Sequence, residues 1–154
     1  MPKFIKYLIL TISLFFTSFI FAEDIVVENA WIREAPPVSR VQAAYAIFKN
    51  DAPREIELIN ATSPAFKKIE FHQTILENGL SKMQQQASIV ISKNSQTVLE
   101  PEGMHMMLFD PVKPLVADDK VTITFEYKSG NKITANFVVK KLTGSSTHHH
   151  HMHH

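Results

Sequence analysis

Apolar and polar residues alternate with a period of two along most of this chain, in short runs separated by turn-forming clusters. Val121, Ile123, Phe125 and Tyr127 share one side of the run 121–127, and Ile133, Ala135, Phe137 and Val139 share one side of the run 132–140. Lys128-Ser129-Gly130-Asn131 turns the chain between them. Further runs at 42–49, 55–60, 67–76, 88–92 and 96–100 are separated by polar segments such as Asn50-Asp51-Ala52-Pro53 and Lys93-Asn94-Ser95. Beyond the first residues, no stretch of about a dozen residues keeps a helical period. The pattern predicts an all-β sandwich or barrel of short strands.

Asn78-Gly79 is the sharpest local signal. A two-residue type I′ hairpin needs positive φ at both central positions, which Asn and Gly tolerate. In that register Thr74 faces Met83 and His72 faces Gln85. His72 and Met83 then lie diagonally across the hairpin on one face, with backbones about 7–8 Å apart. Two side-chain tips can close that separation around a metal ion. His105 and Met107, two apart in an extended segment, also share a face, while Met104 and Met106 point the other way, toward a core. No local pattern forces the second pair to lie against the first.

The start of the chain has a different character. Lys3 and Lys6 precede an almost unbroken apolar run from Tyr7 to Phe21, and Glu23-Asp24 follows Ala22. Residues 1–22 read as a secretory signal peptide cleaved after Ala22. The alternative, an uncleaved anchor, calls for a longer run to cross about 30 Å of hydrocarbon. No cysteine occurs in the chain, which excludes disulfides, thiol redox chemistry and lipid attachment through an N-terminal cysteine. Residues 23–141 make one domain, large enough to bury a core without staples. Removing Lys3 and Lys6 takes the formal charge from +1 to −1, and no basic run offers a footprint for nucleic acid or an anionic membrane.

Candidate chemistry centres on His72, Met83, His105 and Met107, spaced His-x10-Met-x21-His-x-Met. His72 and His105 are the only histidines before the C-terminal tail. Two imidazoles and two thioethers form a neutral, partly soft donor set, well suited to Cu(I) and poorly suited to Mg²⁺, Ca²⁺ or Zn²⁺. A lone strand histidine is usually structural, and a buried methionine usually fills core. Here each histidine has a methionine placed to share its face, which raises the metal reading to stand level with the core one. Met104 and Met106 keep the core reading, and Trp31 reads as a core or rim aromatic. Glu70, Glu77 and Glu102 read as solvated carboxylates.

Catalytic readings fare poorly. The chain has no cysteine nucleophile, no Gly-x-Ser-x-Gly elbow, no phosphate-cradling glycine loop and no His-Glu-x-x-His helix. A blue-copper electron carrier would need a cysteine thiolate. Four protein donors would also leave no open position for metal catalysis. If the four side chains converge, the expectation is a copper-binding protein that is not an enzyme. The rival is a secreted β-sandwich scaffold or adhesion module whose His/Met set is coincidental core.

The motif and its surroundings resemble the PCuAC family of periplasmic copper chaperones. All four positions of that family's His-x10-Met-x21-His-x-Met signature are matched by His72, Met83, His105 and Met107. Ala30-Trp31-Ile32-Arg33, Pro36-Pro37 and Ala43-Ala44-Tyr45 fit the family's text. The segment 100–108 looks like its Pro-Gly-x-His-x-Met stretch, with Glu102 between Pro101 and Gly103. The resemblance runs from about Glu28 to Lys140. It implies a cupredoxin-like Greek-key β-barrel or sandwich binding one Cu(I) near its surface. It further implies delivery of copper to the CuA centre of cytochrome c oxidase, often alongside a Sco-type protein, with copper storage or tolerance as alternative roles.

Residues 142–154 end in His148-His149-His150-His151-Met152-His153-His154, a segment too polar and repetitive to pack. One reading is a purification tag. The interruption by Met152 and the intact leader favour a native metal-binding tail instead, with a second, histidine-rich site that prefers Cu(II).

Overall fold

The computed structural model describes residues 24–141; the leader and the histidine-rich tail lie outside them. Ten strands follow one another: β1 (Ile25–Arg33), β2 (Val41–Asn50), β3 (Ile56–Thr62), β4 (Phe66–Glu77), β5 (Leu80–Gln86), β6 (Ile89–Ile91), β7 (Ser95–Leu99), β8 (Met104–Pro111), β9 (Lys120–Tyr127) and β10 (Lys132–Lys140). No helix occurs among the described residues. The strands hydrogen-bond in the order β5-β4-β8-β2-β1-β10-β9-β3-β6, and β7 also pairs with β2. All pairings are antiparallel except β1 with β10. Few spatial neighbours are neighbours in sequence, the mark of Greek-key crossovers. The architecture is all-β, a single ten-stranded sheet, and agrees with the cupredoxin-like Greek-key fold that the resemblance implies.

Alternation accounts for the core. Val121, Ile123, Phe125 and Tyr127 are buried from β9, and Ile133, Phe137 and Val139 from β10, on the sides that the sequence pattern marks. Phe125 meets Phe48 edge-on with ring centroids 5.0 Å apart and lies 6.2 Å from Phe137. Asn50 is buried at the end of β2, and its amide donates to the carbonyls of Arg54, Ile91 and Ser92 while its oxygen accepts from the Ala52 N–H. That buried polar group is satisfied, and it ties the β2–β3 turn to β6.

β1 escapes the alternation rule for a physical reason. Ile25 and Ile32 both point into the core, although their odd spacing would put them on opposite faces of a regular strand. Asn29 adopts φ 50, and the pairing with β2 shifts register between Glu28 and Trp31. One extra residue at this bulge reverses the parity of everything after it.

The β4–β5 hairpin has the register that Asn78-Gly79 predicts. Asn78 and Gly79 take φ 52 and 77, Thr74 pairs with Met83, and His72 pairs with Gln85. No residue of β5 belongs to the core, and Leu76, Leu80 and Met83 are exposed. The outer strand therefore depends on its turn and its ladder to β4.

A Cβ on Gly79 would meet nothing within 4 Å, so Gly79→Ala tests the backbone alone. Holding a non-glycine residue in the left-handed region costs about 1–2 kcal/mol. Amide exchange should lose protection in β4–β5 while core amides keep theirs; uniform loss, or none, contradicts this. Met106 is fully buried on the core face of β8, whereas Met83 is 64% exposed. In denaturant titrations of metal-free protein, Met106→Ala should cost about 2–5 kcal/mol. Met83→Leu should move stability by less than about 0.5 kcal/mol.

Candidate metal centre

The pairing of β4 with β8 brings together the two halves of the His/Met motif. His72 lies directly opposite His105, and Glu70 opposite Met107. On the other side of β4, Thr74 lies opposite Met83. His72 is thus flanked diagonally by Met83 on one neighbouring strand and Met107 on the other. Opposed residues in such ladders stand about 4.5–5.5 Å apart and diagonal ones about 7–8 Å. All four side chains project from the same face. The two imidazole rings lie 6.1 Å apart, centroid to centroid, with planes 30° from parallel.

A loop at one end of this face controls His105. β2 pairs with β7 through Ala46–Asn50 and with β8 through Val41–Ala44, on the same side. Between them the chain runs from Leu99 to Met104 while β2 barely advances, so residues 100–103 bulge out of the ladder. Glu102 takes φ 67 at the tip, and the turn is closed by Gly103 N–H to the Glu100 carbonyl at 3.2 Å. The Gly103 carbonyl accepts the Thr74 N–H at 3.1 Å, which fastens the loop to β4. His105 Nδ1 also lies 3.0 Å from that oxygen. A carbonyl can only accept, so Nδ1 carries the proton and Nε2 keeps its lone pair. His105 is 4% exposed, and its Nε2 is buried with no hydrogen-bond partner.

His72 shows the reverse arrangement. Its Nε2 lies 2.8 Å from a carboxylate oxygen of Glu70, and its buried Nδ1 has no partner. The Lys68 ammonium pairs with the other oxygen of Glu70 at 2.8 Å. Lys68 first, and His72 after it, hold the Glu70 carboxyl below the usual carboxylate range. The expectation of three solvated carboxylates therefore needs correction at Glu70: its side chain is only 16% exposed and engaged on both oxygens. Glu77 is exposed and pairs with Lys82. Glu102 is exposed too, at the mouth of the groove.

Met83, His105 and Met107 line one open groove of about 600 Å³, together with Arg33, Tyr45 and Glu102 among others. Burial pushes the Tyr45 phenol above its ordinary value, partly opposed by Arg33. Trp31 packs against Tyr45 with ring centroids 4.5 Å apart and planes tilted by 37°, and is half-buried, a rim aromatic. Met106 belongs to the core and Met104 packs against its edge. Among the described residues, no three His, Asp or Glu side chains converge on a point where a metal could sit. A metal on this face would have to draw on the thioethers, and thioethers select Cu(I). Two buried imidazole nitrogens with free lone pairs suit the same ion. Sequence reading missed Glu70, whose one signal is its two-residue spacing from His72, and it missed the Gly103 carbonyl, which leaves no signal at all.

Known proteins resemble this chain in sequence and fold. Residues 25–139 match the family described as "Putative lipoprotein LpqE-like". A "Putative lipoprotein Lxx21020" of Leifsonia xyli subsp. xyli is 30% identical over 126 residues, covering 81% of this chain and 75% of that protein. The "Uncharacterized protein RP573" of Rickettsia prowazekii is 33% identical over 98 residues, covering 63% of this chain and 54% of that one, so the match spans about half its length. Among solved structures, the copper-bound PCuAC domain from PmoF2 superposes with a TM-score of 0.66 at 21% identity, covering 77% of this chain and 94% of that domain. The Cu(I) form of DR1885 from Deinococcus radiodurans superposes at 0.63 with 26% identity, covering 77% and 78%. This chain belongs to the LpqE-like family and has the fold of PCuAC domains.

Proposed function

We propose that this protein is an extracytoplasmic carrier that binds one Cu(I) through His72, Met83, His105 and Met107 and passes it to an acceptor. The observation that carries the reading is the cross-strand histidine pair, which leaves two buried, unpartnered nitrogens beside two thioethers on one face. Structural relatives described as copper-bound and Cu(I)-bound lend support. The leader at residues 1–22 supports export, and the periplasm is the compartment proposed.

The donor chemistry suits cargo. Neutral ligands leave the ion's own charge in place, which favours Cu(I) over Cu(II). Thioethers do not titrate, while the imidazoles must be neutral to bind, so acid weakens the site from the histidine side. Met83, on the exposed outer strand, is the ligand an incoming thiol or thioether can displace first. Four protein donors leave no open position for turnover, so the role is carriage and not catalysis. The acceptor proposed is the CuA centre of cytochrome c oxidase, directly or with a Sco-type partner. A storage or tolerance role would show retention of copper instead of transfer.

The tail residues His148 to His151, Met152, His153 and His154 are proposed as a second site that prefers Cu(II). The described chain ends at Lys141, next to Lys140, which pairs with Arg33 on the wall of the groove.

X-ray absorption on protein truncated after Leu142 should show one Cu(I) with mixed nitrogen and sulfur scattering. An all-nitrogen and oxygen shell would sink the site. Met83→Leu should weaken Cu(I) sharply and Met106→Leu hardly at all; equal losses contradict the assignment. Truncation should also remove the Cu(II) equivalent while leaving Cu(I) affinity within about threefold. Unchanged Cu(II) stoichiometry would rule out the tail as the second site.

A further inference from the structure

The two histidines opposite one another on β4 and β8 are held by different partners through different ring atoms. We infer that Glu70 is a positioning residue for the metal site: it holds His72 with the proton on Nε2, so that copper is taken by Nδ1 of His72 and by Nε2 of His105. This rests on the Cu(I) reading above and deepens it.

The geometry is specific. Glu70 and His72 occupy alternate positions of β4 and share its outer face. One carboxylate oxygen of Glu70 lies 2.8 Å from His72 Nε2 and the other 2.8 Å from the Lys68 ammonium. Lys68 is steadied in turn by the Phe109 ring, whose centroid is 4.6 Å from the ammonium. An ionised carboxylate has no hydrogen to give, so the shared proton sits on Nε2 and the lone pair on Nδ1. That Nδ1 is buried and without a partner, the condition of a donor atom prepared for an ion. His105 is oriented by a neutral carbonyl through Nδ1 and presents Nε2. An Nδ1 donor lies closer to its own backbone than an Nε2 donor does. The mixed pair therefore draws the ion toward β4, between the diagonal methionines. A carboxylate on the far nitrogen also makes the imidazole a stronger donor, and removing such a partner typically lowers metal affinity about 10–100-fold.

The test uses the chain from Glu23 to His154, labelled with ¹⁵N and given one equivalent of Cu(I). Long-range ¹H–¹⁵N spectra should show His72 metallated at Nδ1 with a slowly exchanging proton on Nε2, and His105 metallated at Nε2. Competition with a Cu(I) chelator should show Glu70→Ala weakened about 10–100-fold, with Glu70→Gln intermediate because its amide oxygen can still accept the Nε2 proton. Glu77→Gln, which removes an exposed charge from the same hairpin, should leave affinity unchanged. Metallation of His72 at Nε2 overturns the inference, as does a Glu70→Ala affinity within about twofold of the parent. Should Glu70→Ala fail to fold, the spectra of the unmodified chain decide. Should His72→Ala leave Cu(I) affinity unchanged, the Cu(I) site itself is wrong; a loss with His72→Ala but not with Glu70→Ala condemns only the role given to Glu70.

Discussion

The antiparallel ladder between β4 and β8 is the constraint on which the rest depends. On its inner side Phe71 pairs with Met106 and Ile69 with Leu108, all of them buried in the core. On its outer side the same rungs align His72 with His105 and Glu70 with Met107. A slip of one residue would turn the apolar pairs toward water and the histidines into the core. The hydrophobic effect, acting on one face, thus sets the alignment of polar groups on the other. No contact between the histidines themselves is needed to hold them opposite each other.

Around that ladder the proposed donors differ in how firmly they are held. Met107 and His105 sit on β8, a central strand bonded on both sides, and His105 is almost wholly enclosed. His72 sits on β4, between β8 and the outer strand. Met83 sits on that outer strand, which contributes nothing to the core. A carrier needs ligands that hold and at least one that yields, and this gradient would supply both if the four side chains bind the ion as proposed. Secondary structure alone would treat the four positions alike; their place in the strand order makes them unequal.

Local features were the legible part of the fold. The alternation in β9 and β10 marks the buried sides, and the Asn78-Gly79 turn sets the pairing of Thr74 with Met83 and of His72 with Gln85. Both depend on residues near each other in the chain. β1 was not legible, because the bulge at Asn29 breaks the parity on which the period-two rule relies. Glu70 was misread from its residue type alone. A strand glutamate suggests a solvated carboxylate, whereas in the fold its side chain is little exposed and paired with both Lys68 and His72.

By itself the sequence determined the His/Met make-up of the candidate site, the all-β class and the faces on which His72, Met83, His105 and Met107 project. Each of these follows from side-chain identity, a two-residue period or a two-residue turn. Only the tertiary structure decided that β8 lies beside β4, that residues 100–103 leave the ladder to cap His105, and which nitrogen of each ring is left free. Those outcomes join segments far apart in the chain. Their register is set by the packing of a common core, and a hydrogen bond to a backbone carbonyl such as that of Gly103 has no counterpart in the identity of any residue.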